Sequence, residues 1–360
     1  MPDAARAPLR LLVVMPSWVG DVVMATPTIR RVRERFRGSF IGGLVRPGMD
    51  QLLAGTTFFD ELHVERASGV MGPKFVAAKV RPRRYDTALL LTNSFSTALV
   101  VRLAGIPRRI GYDRDARGLL LTDRLEAPRR DQGGFAPVPA VNYYMNLANR
   151  YLLATPTGAA PAVPDMELAT TPKEERAADE LLARAGVPAT APTAILNPGG
   201  NNPAKRWPPD RFAALADHLA LRHNLTILIN GSPAESDLVA AIAAACRTAK
   251  PIQLPGLGIT LGTLKALTRR SRLMVTNDTG PRHIAAAFSV PLVSLFGPTD
   301  PRWTIIPARA GETVLTADPT LPETELAEDH PERCRIERIE LSGVIGAVDR
   351  ALVAPAPITA

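Results

Sequence analysis

LMVTNDTGPRHIAAAFSVPLVSLFGPTDP, residues 273–301, is the stretch whose reading decides how this chain folds. Two apolar runs each end in a loop crowded with Asp, Thr, Gly or Pro, and between them HIAAAF (283–288) has the pattern of a short helix. Buried strand, loop, helix and second buried strand form the repeating unit of a parallel sheet wrapped by helices. Asp278, Thr279, Gly280 and His283 then fall where a strand ends and a helix begins. Unpaired backbone N–H groups and the helix dipole favour an anion there, and a nucleotide diphosphate would fit. The same residues would serve equally as a helix cap and a turn.

The pattern repeats outward from this stretch. Helical segments at 173–185, 210–221, 234–246 and 261–270 alternate with apolar runs at 193–196, 225–229, 273–275 and 292–296. A last helix is expected at 341–352, after a polar stretch, 319–331, that is expected to be mobile. Near the start, RLLVVM (10–15) ends in PSWVGD and runs into a segment where Ile29, Val32 and Phe36 recur at helical spacing. Further strand-like runs lie at 40–45 and 87–91, with a helix at 97–103. Residues 155–172, rich in Thr, Ala and Pro, mark a linker with a hinge near residue 165, which predicts closure on ligand binding. The expectation is an α/β protein of two Rossmann-like, doubly wound domains facing a central cleft, residues 1–165 and 166–345, with 346–360 as helix end and tail.

With 360 residues, 46% hydrophobic and 22% charged, the chain can bury two cores. Cys246 and Cys334 are the only cysteines, which argues against a disulfide scaffold or a thiolate zinc site and suits a reducing, cytoplasmic compartment. The apolar run LLVVM is too short for a signal-peptide core, and no apolar stretch is long enough to span a bilayer. The net charge of +8 is uneven: residues 1–130 carry +10 and the remainder −2. Its densest cluster is Lys74, Lys79, Arg81, Arg83 and Arg84, followed by Arg108, Arg109, Arg129 and Arg130. Such a field attracts phosphorylated ligands, nucleic acid or an anionic membrane surface, unless these are simply solvated helix faces. No helix-turn-helix, zinc-finger or RNP-like motif accompanies it and aromatics are only 5%, so nucleic acid is disfavoured.

Three further loops carry candidate chemistry. Asp21, in SWVGD after the first strand, sits where open α/β sheets place ligands and is either a general base or a cap for the next helix. The loop NPGGNNPAKRWPPDRF (197–212) offers glycine N–H groups and Lys205 to a diphosphate, or is an exposed turn with incidental basic residues. Glu235, in NGSPAE, either accepts from ribose hydroxyls or complements a helix dipole. There is no GxGxxG, P-loop, Ser-His-acid or HExxH pattern. His63, His218, His223, His283 and His330 are scattered and no carboxylates cluster at ligand spacing, so no metal is expected.

Six segments in order, PSWVGD from Pro16, TNSFSTALVVRLAGIPRRIGY from Thr92, PGGNNPAKRWP from Pro198, INGSPAE from Ile229, TNDTGPRH from Thr276 and GPTDP from Gly297, give the chain a close resemblance to the ADP-heptose:lipopolysaccharide heptosyltransferases of glycosyltransferase family 9. The likeness covers nearly the whole length, and NSFSTAL with PSWVGD points to the branch that adds the second heptose. It implies a GT-B fold and metal-independent, inverting transfer of L-glycero-D-manno-heptose from ADP-L-glycero-β-D-manno-heptose to the first inner-core heptose of heptosyl-Kdo2-lipid A. No cofactor is implied. By position Asp21 resembles the base and Lys205 the group that neutralises the departing diphosphate. Asn201, Asn202, Lys205, Glu235, Asp278, Thr279, Gly280 and His283 are implied on the donor side, with Ser17, Trp18, Asn93 and Ser94 on the acceptor side. The anionic acceptor gives the basic first third a purpose, peripheral attachment to the cytoplasmic face of the inner membrane. A family relative with another heptose acceptor, or a non-catalytic glycolipid-binding protein of the same fold, are the alternatives. Asp21 together with Lys205 speaks against the latter.

Overall fold

The computed structural model describes residues 7–131, 133–153, 165–307 and 311–353, and most of the expected linker lies outside them. The chain divides into two compact units, one of residues 1–167 with 302–305, the other of residues 168–301 with 306–360.

In the first unit β1 (Arg10–Val14), α1 (Val19–Arg35), β2 (Phe40–Val45), α2 (Met49–Leu53), β3 (Glu61–Val64), α3 (Gly72–Val80), β4 (Thr87–Leu90), α4 (Phe95–Leu103), β5 (Arg108–Asp113), β6 (Asp123–Glu126) and α5 (Ala140–Ala148) follow in order. The strands form one sheet, β3-β2-β1-β4-β5-β6, with every pair parallel. LLVV of β1 is buried on both faces, as expected of a central strand covered by helices, with Val14 opposite both Leu44 and Leu90.

The second unit runs α6 (Pro172–Arg184), β7 (Thr193–Asn197), α7 (Pro209–His223), β8 (Thr226–Ile229), α8 (Ser236–Ala245), β9 (Ile252–Gln253), α9 (Leu261–Arg270), β10 (Leu273–Asn277), α10 (Gly280–Ala287), β11 (Leu292–Phe296), β12 (Glu312–Thr316) and α11 (Leu341–Val353). Its sheet, β12-β11-β10-β7-β8-β9, is also entirely parallel. Numbered within each unit, both sheets have the order 3-2-1-4-5-6. The two halves thus share one topology without a visible sequence repeat. In this arrangement the strand order reverses between β1 and β4, and again between β7 and β10, and ligands bind beyond the carboxyl ends of the strands at such a reversal.

Two local details depart from expectation. The polar stretch 319–331 is anchored in the second unit: Leu326 and Ala327 are buried, Ala327 donates its N–H to Asp300, and Asp300 donates its own to Glu328. Much of the basic cluster is internally engaged. Arg109 donates to the carbonyls of Ile106, Pro107 and Leu120, Arg108 pairs with Asp123 at 3.2 Å and Arg83 with Glu61 at 2.7 Å.

Candidate functional site

At the first reversal point, β1 leads through Ser17 and the exposed Trp18 into α1, whose N-cap is Trp18, in extended conformation and without a side-chain cap bond. Asp21 is therefore not the cap. It lies in the first turn of α1, where the helix dipole favours a carboxylate. The Tyr144 hydroxyl, from α5, donates to Asp21 Oδ1 at 3.2 Å. Burial first, and then the Asp21 charge, push the Tyr144 phenol well above its ordinary range, so it stays a protonated donor.

Asp21 opens onto a cavity of about 220 Å³ that is also lined by Asn93, Arg114, Phe135, Tyr143, Tyr144 and Trp303. Asn93 Oδ1 accepts from Tyr143 at 3.2 Å and from Arg117 at 3.3 Å. Arg117 is fully buried, donates to the carbonyls of Tyr112 and Thr92, and is lowered by burial to about 10. Tyr143 stacks on Tyr112 with centroids 3.7 Å apart, and the Arg114 guanidinium lies 3.6 Å from the Phe135 centroid. Both contacts hold the wall of the cavity. Ser17 and Ser94 line a different, smaller cavity, and Ser94 caps α4 by accepting from Thr97 N–H. Of the four residues expected on the acceptor side, only Asn93 joins Asp21 in the larger cavity.

At the second reversal point two buried asparagines end the central strands. Asn197, closing β7, donates to Thr276 and Thr279 at 3.1 and 2.8 Å and accepts from Asn230 at 2.6 Å. Asn277, closing β10, donates to the Pro198 and Gly199 carbonyls and accepts from Trp207 N–H. These bonds lock the loop after β7 to the loop after β10. Lys205 Nζ then lies 3.1 Å from Asp278 Oδ2, and Arg206 donates twice to the Gly200 carbonyl. Asn201 is exposed on this loop, while Asn202 caps the short turn that carries Lys205 by accepting from Ala204 N–H.

Glu235 closes the third side. It accepts from Gly200 N–H through Oε1 and from Ser232 N–H and Oγ through Oε2. A Cβ on Gly199 would come within 2.3 Å of Glu235 Oε1, so only glycine allows this approach. Three bonds leave room on a carboxylate that offers about four acceptor positions. Thr279 is the N-cap of α10 and Gly280 its first residue. His283 is 3% exposed, its Nδ1 has no hydrogen-bond partner, and burial followed by the neighbouring Arg282 charge holds it neutral, well below its usual range. His283 is thus a core residue of α10 rather than a cationic phosphate ligand. Arg282, also buried, forms a two-pronged pair with Glu312 at 2.6 and 2.9 Å.

One unit therefore presents a carboxylate beside an aromatic cavity, and the other a cation, glycine-rich backbone and a helix start. Residues 76–331, well over half of the chain, match the family model described as glycosyltransferase family 9 (heptosyltransferase). The chain belongs to glycosyltransferase family 9. This family 9 glycosyltransferase is 27% identical over 305 residues to lipopolysaccharide heptosyltransferase 2 of Escherichia coli (strain K12), covering 82% of this chain and 85% of that protein. It is 29% identical over 320 residues to lipopolysaccharide heptosyltransferase 2 of Salmonella typhimurium (strain LT2), with the same coverages. Its fold matches the structure of E. coli ADP-heptose lps heptosyltransferase II with a TM-score of 0.78 at 26% identity, over 96% of this chain and 98% of that one. The fold is accordingly GT-B, built of two doubly wound α/β units.

Sequence reasoning missed Tyr144, Asn197 and Asn277 as site residues. Both asparagines had a readable signal, a polar residue closing an otherwise apolar buried strand. Trp303 had none, because residues 302–305 belong to the first unit although they follow almost the entire second one.

Proposed function

We propose that this chain transfers L-glycero-D-manno-heptose from ADP-heptose to a heptose of the lipopolysaccharide inner core, with inversion at the anomeric carbon. The observation that carries the reading is the division of chemistry between the two reversal points: Asp21 with its buried donor Tyr144 in one unit, and Lys205 with the Gly199-Gly200 loop in the other. In this reading Asp21 takes the proton of the acceptor hydroxyl as its oxygen attacks the anomeric carbon, and the bond to ADP breaks on the opposite side. Lys205, the loop N–H groups and the start of α10 carry the charge of the departing diphosphate. Lys205 exchanges Asp278 for that diphosphate, and a ribose hydroxyl takes the remaining acceptor position of Glu235. Asn201, Asn202, Thr279 and Gly280 frame the donor, while Asn93, Ser17, Trp18 and Ser94 belong to the acceptor side.

The names of the relatives favour an acceptor that already bears one heptose. The test is ADP release from ADP-heptose with either Kdo2-lipid A or its monoheptosylated form. Turnover on the monoheptosylated acceptor supports the reading, and turnover on Kdo2-lipid A alone overturns the choice of acceptor.

Peripheral membrane association is part of the same proposal. No helix among the described residues is long and apolar enough to cross a membrane. Helix α3 buries Val76, Ala77 and Val80 and turns Lys74, Phe75 and Lys79 outward; Phe75 is 63% exposed, and Val70, two residues before the helix, 96%. An aromatic between lysines on an outward helix face suits the headgroup boundary of an anionic bilayer. Phe75→Ser with Lys74→Glu is expected to lower sedimentation with anionic lipid vesicles several-fold while leaving turnover on detergent-dispersed acceptor intact. Unchanged sedimentation would remove the membrane surface from the proposal.

A further inference from the structure

The five histidines are scattered in the sequence, yet the fold gathers two of them. His218 and His223, in the second half of α7, both direct Nε2 at Asp349 Oδ1 of α11, at 2.8 and 2.6 Å. One ligand-capable atom from each of the three lies within 4.8 Å of the others. The carboxylate comes from a residue about 130 positions away in the chain, so its arrival between two imidazoles follows from the packing of α11 on α7.

We propose that His218, His223 and Asp349 form a binding site for a divalent transition metal, zinc by ligand type, that fastens α11 to α7. Two imidazole nitrogens and one carboxylate oxygen make a ligand set that suits zinc, with water in the fourth position. The three side chains are 19–40% exposed, so a hydrated ion can enter and retain that water. Zinc at ~2.0–2.2 Å from each ligand would hold N and O somewhat further apart than the present hydrogen bonds, a change that half-exposed side chains absorb by small rotations. His223 is the final residue of α7, where the negative end of the helix dipole favours a cation.

The position assigns the ion a structural task. Donor-side loops lead into the N-terminus of α7, whereas His218 and His223 lie towards its other end, a separation of order 15 Å along the helix. The inference is independent of which sugar the protein transfers. Metal at this site raises thermal stability by binding the folded state and leaves turnover unchanged.

The test uses the full chain without a histidine tag, stripped with EDTA and titrated with Zn²⁺ against a fluorescent chelator. The expected result is one Zn²⁺ per chain, a higher Tm on loading, and affinity at least about tenfold weaker in the His218→Ala, His223→Ala double variant. Asp349→Asn keeps an oxygen that can accept from both histidines but removes the carboxylate charge, so it separates metal binding from the hydrogen-bonded triad. It is expected to remain folded by circular dichroism and to lose affinity as well. His330→Ala, altering a histidine paired with Glu325 elsewhere, is the control and is expected to bind like wild type. Absence of saturable Zn²⁺ uptake by the wild type overturns the proposal, as does equal uptake by the double variant and by Asp349→Asn.

Discussion

The Tyr144 hydroxyl donates to Asp21 across 123 positions of sequence, at 3.2 Å, from a side chain that is buried. The bond fixes one carboxylate oxygen and leaves the carboxylate facing the cavity it lines. Tyr144→Phe keeps the ring and removes the donor. Turnover is expected to fall roughly tenfold with little change in Tm, the worth of one hydrogen bond to a charged group. Because that donor stabilises the charged form of Asp21, the proposed base, the acidic limb of kcat/KM is expected to move to higher pH in the variant. A kcat loss with an unmoved pH profile would mean that Tyr144 only packs.

Lys205 is held by Asp278 and is expected to exchange it for a diphosphate. Lys205→Ala should weaken ADP binding about tenfold, a charge-assisted bond, and lower turnover further because the leaving group carries more charge in the transition state. Lys205→Arg keeps the charge in a different shape and should recover only part of the loss. Calorimetric titration with ADP and single-turnover ADP release separate the two effects.

The pair Arg282–Glu312 is almost fully buried and ties α10, which follows the loop of Asp278 and Thr279, to β12. Glu312→Gln removes the nearer, two-pronged counter-charge and leaves the guanidinium the Asp278 carboxylate 3.9 Å away, and should destabilise the second unit by about 3 kcal/mol. Arg282→Met combined with Glu312→Gln removes the buried cation as well and should regain much of that. Urea midpoints of the wild type and the two variants decide the matter.

His283 gives stability a pH dependence with a fixed sign. In the folded chain burial keeps it neutral far below its usual range, whereas in the unfolded chain it takes up a proton near pH ~6.5. The unfolded state therefore binds more protons as the pH drops below that value, and stability falls with it, by up to about 1.4 kcal/mol per pH unit for this one group. The contribution is fully present above pH ~6.5 and erodes from there downward. His283→Gln should show a shallower decline between pH 6.5 and 5, measured by denaturant midpoint.

What the sequence made legible, and what it hid, divides along the sheets. The central strands β1, β2, β4, β7, β8, β10 and β11 are near-continuous apolar runs because both faces are covered, and their loops carry the candidate residues. The strands that escaped notice include β3 (ELHV), β6 (DRLE), β9 (IQ) and β12 (ETVLT), all sheet edges. Edge strands have one neighbour; β3, β6 and β12 carry charged residues and β9 is only two residues long, so they lack an apolar signature. β5 (RRIGYD) hid for a related reason, since its arginines are committed to Asp123 and to loop carbonyls. Asp21 and Lys205 were readable as polar residues following strand ends, although Asp21 lies in the first turn of α1 and not in a loop. Tyr144, Asp349 and Trp303 were not, because only the tertiary fold decides what lies beside them.

The central claim is that Asp21 is the base of a heptosyl transfer whose donor site lies on the other unit. Asp21→Ala separates base from donor binding most directly, with ADP affinity and ADP release measured on the same preparation using ADP-heptose and monoheptosylated Kdo2-lipid A. The account predicts ADP binding within about twofold of wild type and acceptor-dependent release reduced by a factor of about 10²–10⁴. Release at the wild-type rate from the Asp21→Ala chain would contradict it.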